Sequence, residues 1–174
     1  PPGTGTLPAP WVAQDVGSVG AAGSATLASG TWTVKGSGGD IWGAADAFQY
    51  VYQPLTGDGQ IVARVTGLTN TNPWAKAGVM LREDLSPGAR YAALVVSPTS
   101  GLAFQRRLQA NGGSAYTGAS GTVPLWLKLA RTGALVTASR STDGVTWTTV
   151  GTDTLGVAAT VYVGLAVTSH SDGV

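Results

Sequence analysis

Leu125-Trp126-Leu127-Lys128-Leu129-Ala130-Arg131 sets leucine at every second position and places tryptophan, lysine and alanine between them. Apolar residues that recur with period two gather on one face only when the chain is extended, so this run reads as a half-buried β-strand. Leu102, Phe104 and Leu108, set against Gln105 and Arg107, repeat the pattern, with the polar pair turned outward. Working outward from these gives runs at 25–35, 47–53, 60–68, 76–82, 91–97, 102–109, 125–131, 134–141, 146–152 and 161–169, separated by Gly, Pro, Asn and Asp. No window of helical length carries apolar residues at i, i+3, i+4 and i+7. About ten strands at this spacing imply an all-β fold, a two-sheet antiparallel β-sandwich.

Two of the runs differ from the leucine run. Val79-Met80-Leu81 and residues 92–96 are apolar at both parities, which is how a strand reads when both of its faces are covered, or when one is a shallow groove. These are the expected central strands. Asp58-Gly59 and Asp143-Gly144 are tight-turn signals, because Gly accepts the positive φ such turns demand.

Composition narrows the function classes. The 174 residues suffice for one domain with a sizeable core. Charged residues make up 11%, against roughly a quarter in typical globular chains, while 26 positions are Gly. The net charge of +1 comes from 10 basic and 9 acidic residues scattered singly, so no surface carries the dense positive field that nucleic acid or an anionic membrane requires. The absence of cysteine excludes disulfide frameworks, thiolate metal sites and cysteine nucleophiles. No apolar run reaches the roughly 18 to 20 residues of a membrane helix. Residues 1–10, with Pro1, Pro2, Pro8 and Pro10, read as a stiff linker or arm, and 11–174 as the domain.

Four stretches carry a resemblance. Gly39-Asp40-Ile41-Trp42-Gly43, Phe48-Gln49-Tyr50-Val51-Tyr52, Lys76-Ala77-Gly78-Val79-Met80-Leu81-Arg82-Glu83 and Ser141-Thr142-Asp143-Gly144-Val145-Thr146-Trp147 resemble the concanavalin A-like (laminin G-like) jelly-roll modules of secreted bacterial polysaccharide-degrading enzymes and surface proteins. The resemblance implies a jelly roll over 11–174, an extracellular location at the cell surface and a non-catalytic carbohydrate-binding role, in some members with a structural calcium. Such modules finish with a further strand after Thr168-Ser169-His170-Ser171, whereas here Asp172-Gly173 is a turn signal followed by Val174. The closing strand is therefore expected from segment 6–19, from a neighbouring copy, or from outside the sequence. That expectation supports an alternative role as a structural subunit of an extracellular filament or surface layer assembled by strand complementation.

The residues that carry chemistry are few. Glycoside hydrolysis normally needs two carboxylates flanking one bond. Glu83 is the sole glutamate, and its acidic neighbour Asp84 points to the opposite face of a strand. Ser169, His170 and Asp172 stand too close in sequence for a nucleophilic triad. The expectation is a protein that is not an enzyme. A calcium ion would draw on Asp40 and the carbonyls of the 36–40 loop, with Asp15, Asp46 or Asp172 as partners. Asp40 could equally accept hydrogen bonds from its own loop.

Sugar recognition needs aromatic faces for the CH surface of a pyranose and polar groups for its hydroxyls. Trp32, Trp42 and Trp147 lie in contexts suited to the core. Trp74 follows Asn72-Pro73 at a loop exit, and Trp126 shares a face with Lys128. Lys76 and Arg82 share a parity, as do Gln105 and Arg107. The sequence thus predicts a groove of Trp74, Lys76, Arg82, Gln105, Arg107, Trp126 and Lys128, with Tyr50 beside it, for a neutral or mildly acidic glycan.

Overall fold

Alternation in the leucine run becomes burial: Leu125, Leu127 and Leu129 are buried while Trp126 and Lys128 are half-exposed. They lie on β10 (Leu125–Thr132), which pairs antiparallel with β5 (Gly59–Val65) and β11 (Leu135–Ser141); β12 (Thr148–Thr154) completes a four-stranded sheet in the order β12-β11-β10-β5. The computed structural model describes residues 7–174, so residues 1–6 of the expected 1–10 arm lie outside the described residues.

The facing sheet has seven strands: β1 (Val12–Val16), β4 (Phe48–Thr56), β13 (Thr160–Thr168), β6 (Lys76–Arg82), β7 (Tyr91–Ser97), β8 (Gly101–Arg107) and β9 (Ala115–Ala119), in the order β1-β4-β13-β6-β7-β8-β9. A hairpin of β2 (Ser24–Ala28) and β3 (Thr31–Lys35) stands apart as a two-stranded sheet. All pairings are antiparallel, and no helix occurs among the described residues. The chain is all-β, with its sheets packed face to face as in a sandwich.

The runs expected as central strands are central. On β6 and β7, Val79, Leu81, Ala92, Leu94 and Val96 enter the core between the sheets, joined by Phe104, Leu127, Val136 and Val163. Met80, Ala93 and Val95 point the other way into a second apolar layer with Ile41, Phe48, Tyr50 and Tyr91. Residues of the 36–47 loop and Leu85 roof that layer. The apolar residues at both parities thus report a sheet covered on both faces.

Two departures have physical reasons. The run 25–35 is a hairpin, turned at Ser29 and Gly30 with φ of 50° and 76°, the left-handed pair that matches strand twist. β1 and β9 lie at the sheet's edges and are short and partly exposed, so their alternation is weak. Within the 6–19 segment, β1 pairs with β4 of its own chain, from Val12 opposite Tyr52 to Val16 opposite Phe48. The last strand, β13, sits in the middle of the large sheet between β4 and β6.

Candidate functional site

The residues expected to form one groove fall into three places. Tyr50, Arg82 and Arg107 are sealed at 0% exposure. Asp46, its side chain also buried, holds the two arginines there: its Oδ2 takes Arg82 Nη1 at 3.1 Å and Arg107 Nη1 at 2.9 Å, and its Oδ1 takes Arg107 Nη2 at 2.7 Å. The remaining donors go to carbonyls. Arg82 donates to Asp84 O and Ser86 O, and Arg107 to Trp42 O, Gly43 O, Pro87 O and Ala89 O. Each guanidinium lies over a ring, Arg82 5.3 Å from the Phe48 centroid and Arg107 5.0 Å from that of Tyr91. Tyr50's hydroxyl lies 3.1 Å from the carbonyls of Met80 and Tyr162, and burial raises its pKa far above the ordinary phenol value. This cluster pins the 42–46 and 84–89 loops onto the sheet. It offers nothing to a ligand, which corrects the expected role of these three residues.

Trp126 and Lys128 are displaced to the outer face of the four-stranded sheet, where Lys128 Nζ stands 4.1 Å from the Trp147 centroid. They cannot share a groove with Trp74, because the two sheets present opposite outer surfaces.

Trp74, Lys76 and Gln105 do come together. With Trp42, Tyr116, Asp40 and His170 they line a cleft of about 220 Å³ on the outer face of the seven-stranded sheet. Its walls are aromatic and open: Trp42 is 36% exposed, Trp74 38% and Tyr116 52%. Tyr116 meets Trp42 edge-on at 5.8 Å between centroids and Trp74 at 6.4 Å, the perpendicular arrangement that ring quadrupoles favour.

Each wall is held locally. Trp74 N donates to Asn72 Oδ1 at 2.8 Å, an Asx turn. Ser100 Oγ donates to Pro73 O at 2.9 Å. The Trp42 carbonyl accepts from Arg107 Nη2 at 3.2 Å, so the buried cluster fixes this wall from beneath. Tyr116 is directly opposite Gln105 in the β8–β9 register.

The polar floor has its own order. Lys76 Nζ donates to Asp40 Oδ1 and to Ile41 O, and lies 5.9 Å from the Trp74 centroid. Burial lowers the Lys76 pKa below the ordinary ammonium value, and the bond to Asp40 offsets part of that shift. His170 Nε2 lies 3.1 Å from Asp40 Oδ2. Gln105 is buried, and its Oε1 has no hydrogen-bond partner among the described residues. An unsatisfied buried amide oxygen costs about 1–3 kcal/mol and marks where a donor from outside would be favoured.

The aspartates expected at a metal serve other partners. Asp15 accepts from Gly23 N, Asp40 pairs with Lys76 and His170, Asp46 with two arginines, and Asp172 accepts from Gly20 N and Ser37 Oγ. No group of three His, Cys, Asp or Glu poised for a metal occurs among the described residues. Glu83 pairs with Arg90, and Asp84 accepts from Ser86 N at 2.7 Å.

Trp42, expected in the core, instead lines the cleft, and Tyr116 and His170 join it from outside the expected set of site residues. A signal for Trp42 exists: glycines at 39 and 43 bracket it, leaving little local side-chain surface to bury it. Tyr116 becomes legible only once residues 108–114 are read as the turn that sets it against Gln105.

No family model matches the chain, and no curated protein matches it. Among solved structures it is similar to a functionally unknown protein from Saccharomyces cerevisiae, at a TM-score of 0.68 and 19% identity, over 86% of this chain and 84% of that one. That likeness bears on the fold alone.

Proposed function

We propose that this chain is a non-catalytic carbohydrate-binding module of the concanavalin A-like jelly-roll type, from a secreted bacterial protein, and that it holds one sugar ring of a neutral or mildly acidic glycan in the Trp42–Trp74–Tyr116 cleft. The observation that carries the reading is three part-exposed aromatic rings standing over a buried polar floor. Rings of this kind stack on the CH face of a pyranose. The Gln105 amide and the Lys76 ammonium lie where hydroxyls or a sugar carboxylate would meet them.

The volume is below the roughly 300–1,000 Å³ of drug-sized pockets, which suits a single ring or the end of a chain. Only one carboxylate, Asp40, lines the cleft, and it is engaged by Lys76 and His170. Glycosidases use two.

A glycan array followed by titration of the best ligand tests the reading. Binding that weakens about tenfold or more in both Trp74→Ala and Tyr116→Ala supports it. A chain that binds no glycan, or one whose affinity ignores both substitutions, overturns it.

A further inference from the structure

Two strand edges face each other across a groove of about 1430 Å³, on the side of the seven-stranded sheet opposite the aromatic cleft. Among the described residues, one wall is β5, which is hydrogen-bonded to β10 on one side only, and the other is β3, paired only with β2. The pattern of lining residues shows how each element faces the groove. Residues 60–69 and 30–37 line it without interruption, whereas β13 contributes Val163, Leu165 and Val167 from alternate positions, with Thr168 at its end. A strand presents alternate residues from a face, so an unbroken run means the backbone edge itself is presented. The groove therefore combines two rows of N–H and C=O groups unpaired among the described residues with an apolar floor.

Its dimensions suit a strand. In a packed sandwich one strand residue takes about 4.8 × 10 × 3.3 Å, or ~160 Å³, so the groove corresponds to about nine residues. The length of β5, 7 residues, fits the same segment.

Charge narrows the occupant. Lys35 and Arg64 are the charged side chains lining the groove; both are exposed, and neither makes an ion pair among the described residues. They share the outward parity of Thr33 and Val62, while Trp32, Val34, Ile61 and Ala63 turn inward. An inserted strand would thus need apolar side chains inward and acidic ones outward. No described strand of this chain carries two acidic residues, since Asp15 and Asp153 stand singly on β1 and β12. The described strands of a second copy therefore do not supply the segment.

We propose that the groove binds an extended peptide segment of another protein, which adds as a strand between β5 and β3, its alternate apolar side chains resting on Val163, Leu165 and Val167 and its acidic side chains meeting Lys35 and Arg64. Main-chain hydrogen bonds to the free edges give affinity, and the alternation fixes the register.

The probe is a nine-residue peptide in which valine alternates with aspartate and threonine. Hydrogen exchange followed by NMR should show edge amides of β5 and β3 that exchange freely in the free protein slowing at least tenfold on saturation. The double variant Lys35→Glu with Arg64→Glu, at two exposed positions that leave the core intact, should bind the peptide about tenfold or more weakly and prefer a version with lysine in place of aspartate.

Four outcomes overturn the proposal: no slowing, equal binding of a scrambled peptide with its valines grouped at one end, edge amides already protected in the free monomer, or protection that appears only with concentration-dependent self-association. The third assigns the groove to the chain's own residues and the fourth to a second copy. Glycan binding plays no part in any readout.

Discussion

The Asp46–Arg82–Arg107 cluster and the Trp42–Trp74–Tyr116 cleft lie side by side on one face of one sheet, and both are built from aromatic rings and cations. They differ in what is left unpaired. Arg107 spends its donors on Asp46 and four carbonyl oxygens, and Arg82 on Asp46 and two. In the cleft, three rings stay part-exposed and Gln105 Oε1 has no partner among the described residues. Residue type therefore does not separate a strut from a candidate site; the surplus of hydrogen-bonding capacity and exposed ring does. The two regions also join at one bond, from Arg107 to the Trp42 carbonyl, so the strut orients a wall of the cleft.

The largest expected effect breaks the strut. Arg107→Ala leaves Asp46 half-paired and strips four carbonyls of a donor, and should cost about 3–5 kcal/mol in urea denaturation. Arg107→Lys keeps the charge but not the forked geometry and should fall between. A loss below about 1 kcal/mol in the alanine variant would erase the distinction drawn between the two regions.

Next comes the cleft itself. Trp74→Ala should lower glycan affinity by about 1–2 kcal/mol while changing folding stability by less than about 1 kcal/mol, the reverse of the arginine result. Isothermal titration beside denaturation of the same samples measures both.

A smaller effect is expected on the outer face of the four-stranded sheet. Lys128→Ala removes the cation from the Trp147 ring and should cost about 0.5–1 kcal/mol of stability, with glycan affinity unchanged. A changed affinity would bring that face into the site.

The smallest effect is confined to the turn after β11. Asp143 Oδ1 accepts from Thr146 N and Val145 N and from the Ser141 hydroxyl, and these bonds hold its carboxyl well below the ordinary carboxylate range. A depressed folded-state pKa contributes stability that is present above the unfolded value and lost as pH falls through the folded one. Amide exchange at Val145 and Thr146 should therefore gain on the intrinsic rate as pH drops below about 4, and Asp143→Ala should abolish that dependence.

Much of the fold could be read directly from the chain. Period-two spacing at Leu125, Leu127 and Leu129 decides both strand and face, because successive side chains on an extended backbone must alternate. Apolar residues at both parities in residues 92–96 mark a strand covered on each side. These are local properties, decided within a few residues.

Only the tertiary structure separated Lys76 and Gln105 from Arg82 and Arg107, which have the same parities on the same two strands, β6 and β8. The 36–47 loop folds back over one end of the sheet and brings Asp46 to the two arginines, while Trp42, Trp74, Tyr116 and His170 converge beyond it. An open edge was expected from the sequence, but not that β3 and β5 would carry it, since alternation tells a strand which face to bury and not which neighbour it will lack. Pairing and loop closure are settled between residues tens of positions apart, by competition for the same hydrogen bonds and the same core. No local pattern records which partner wins.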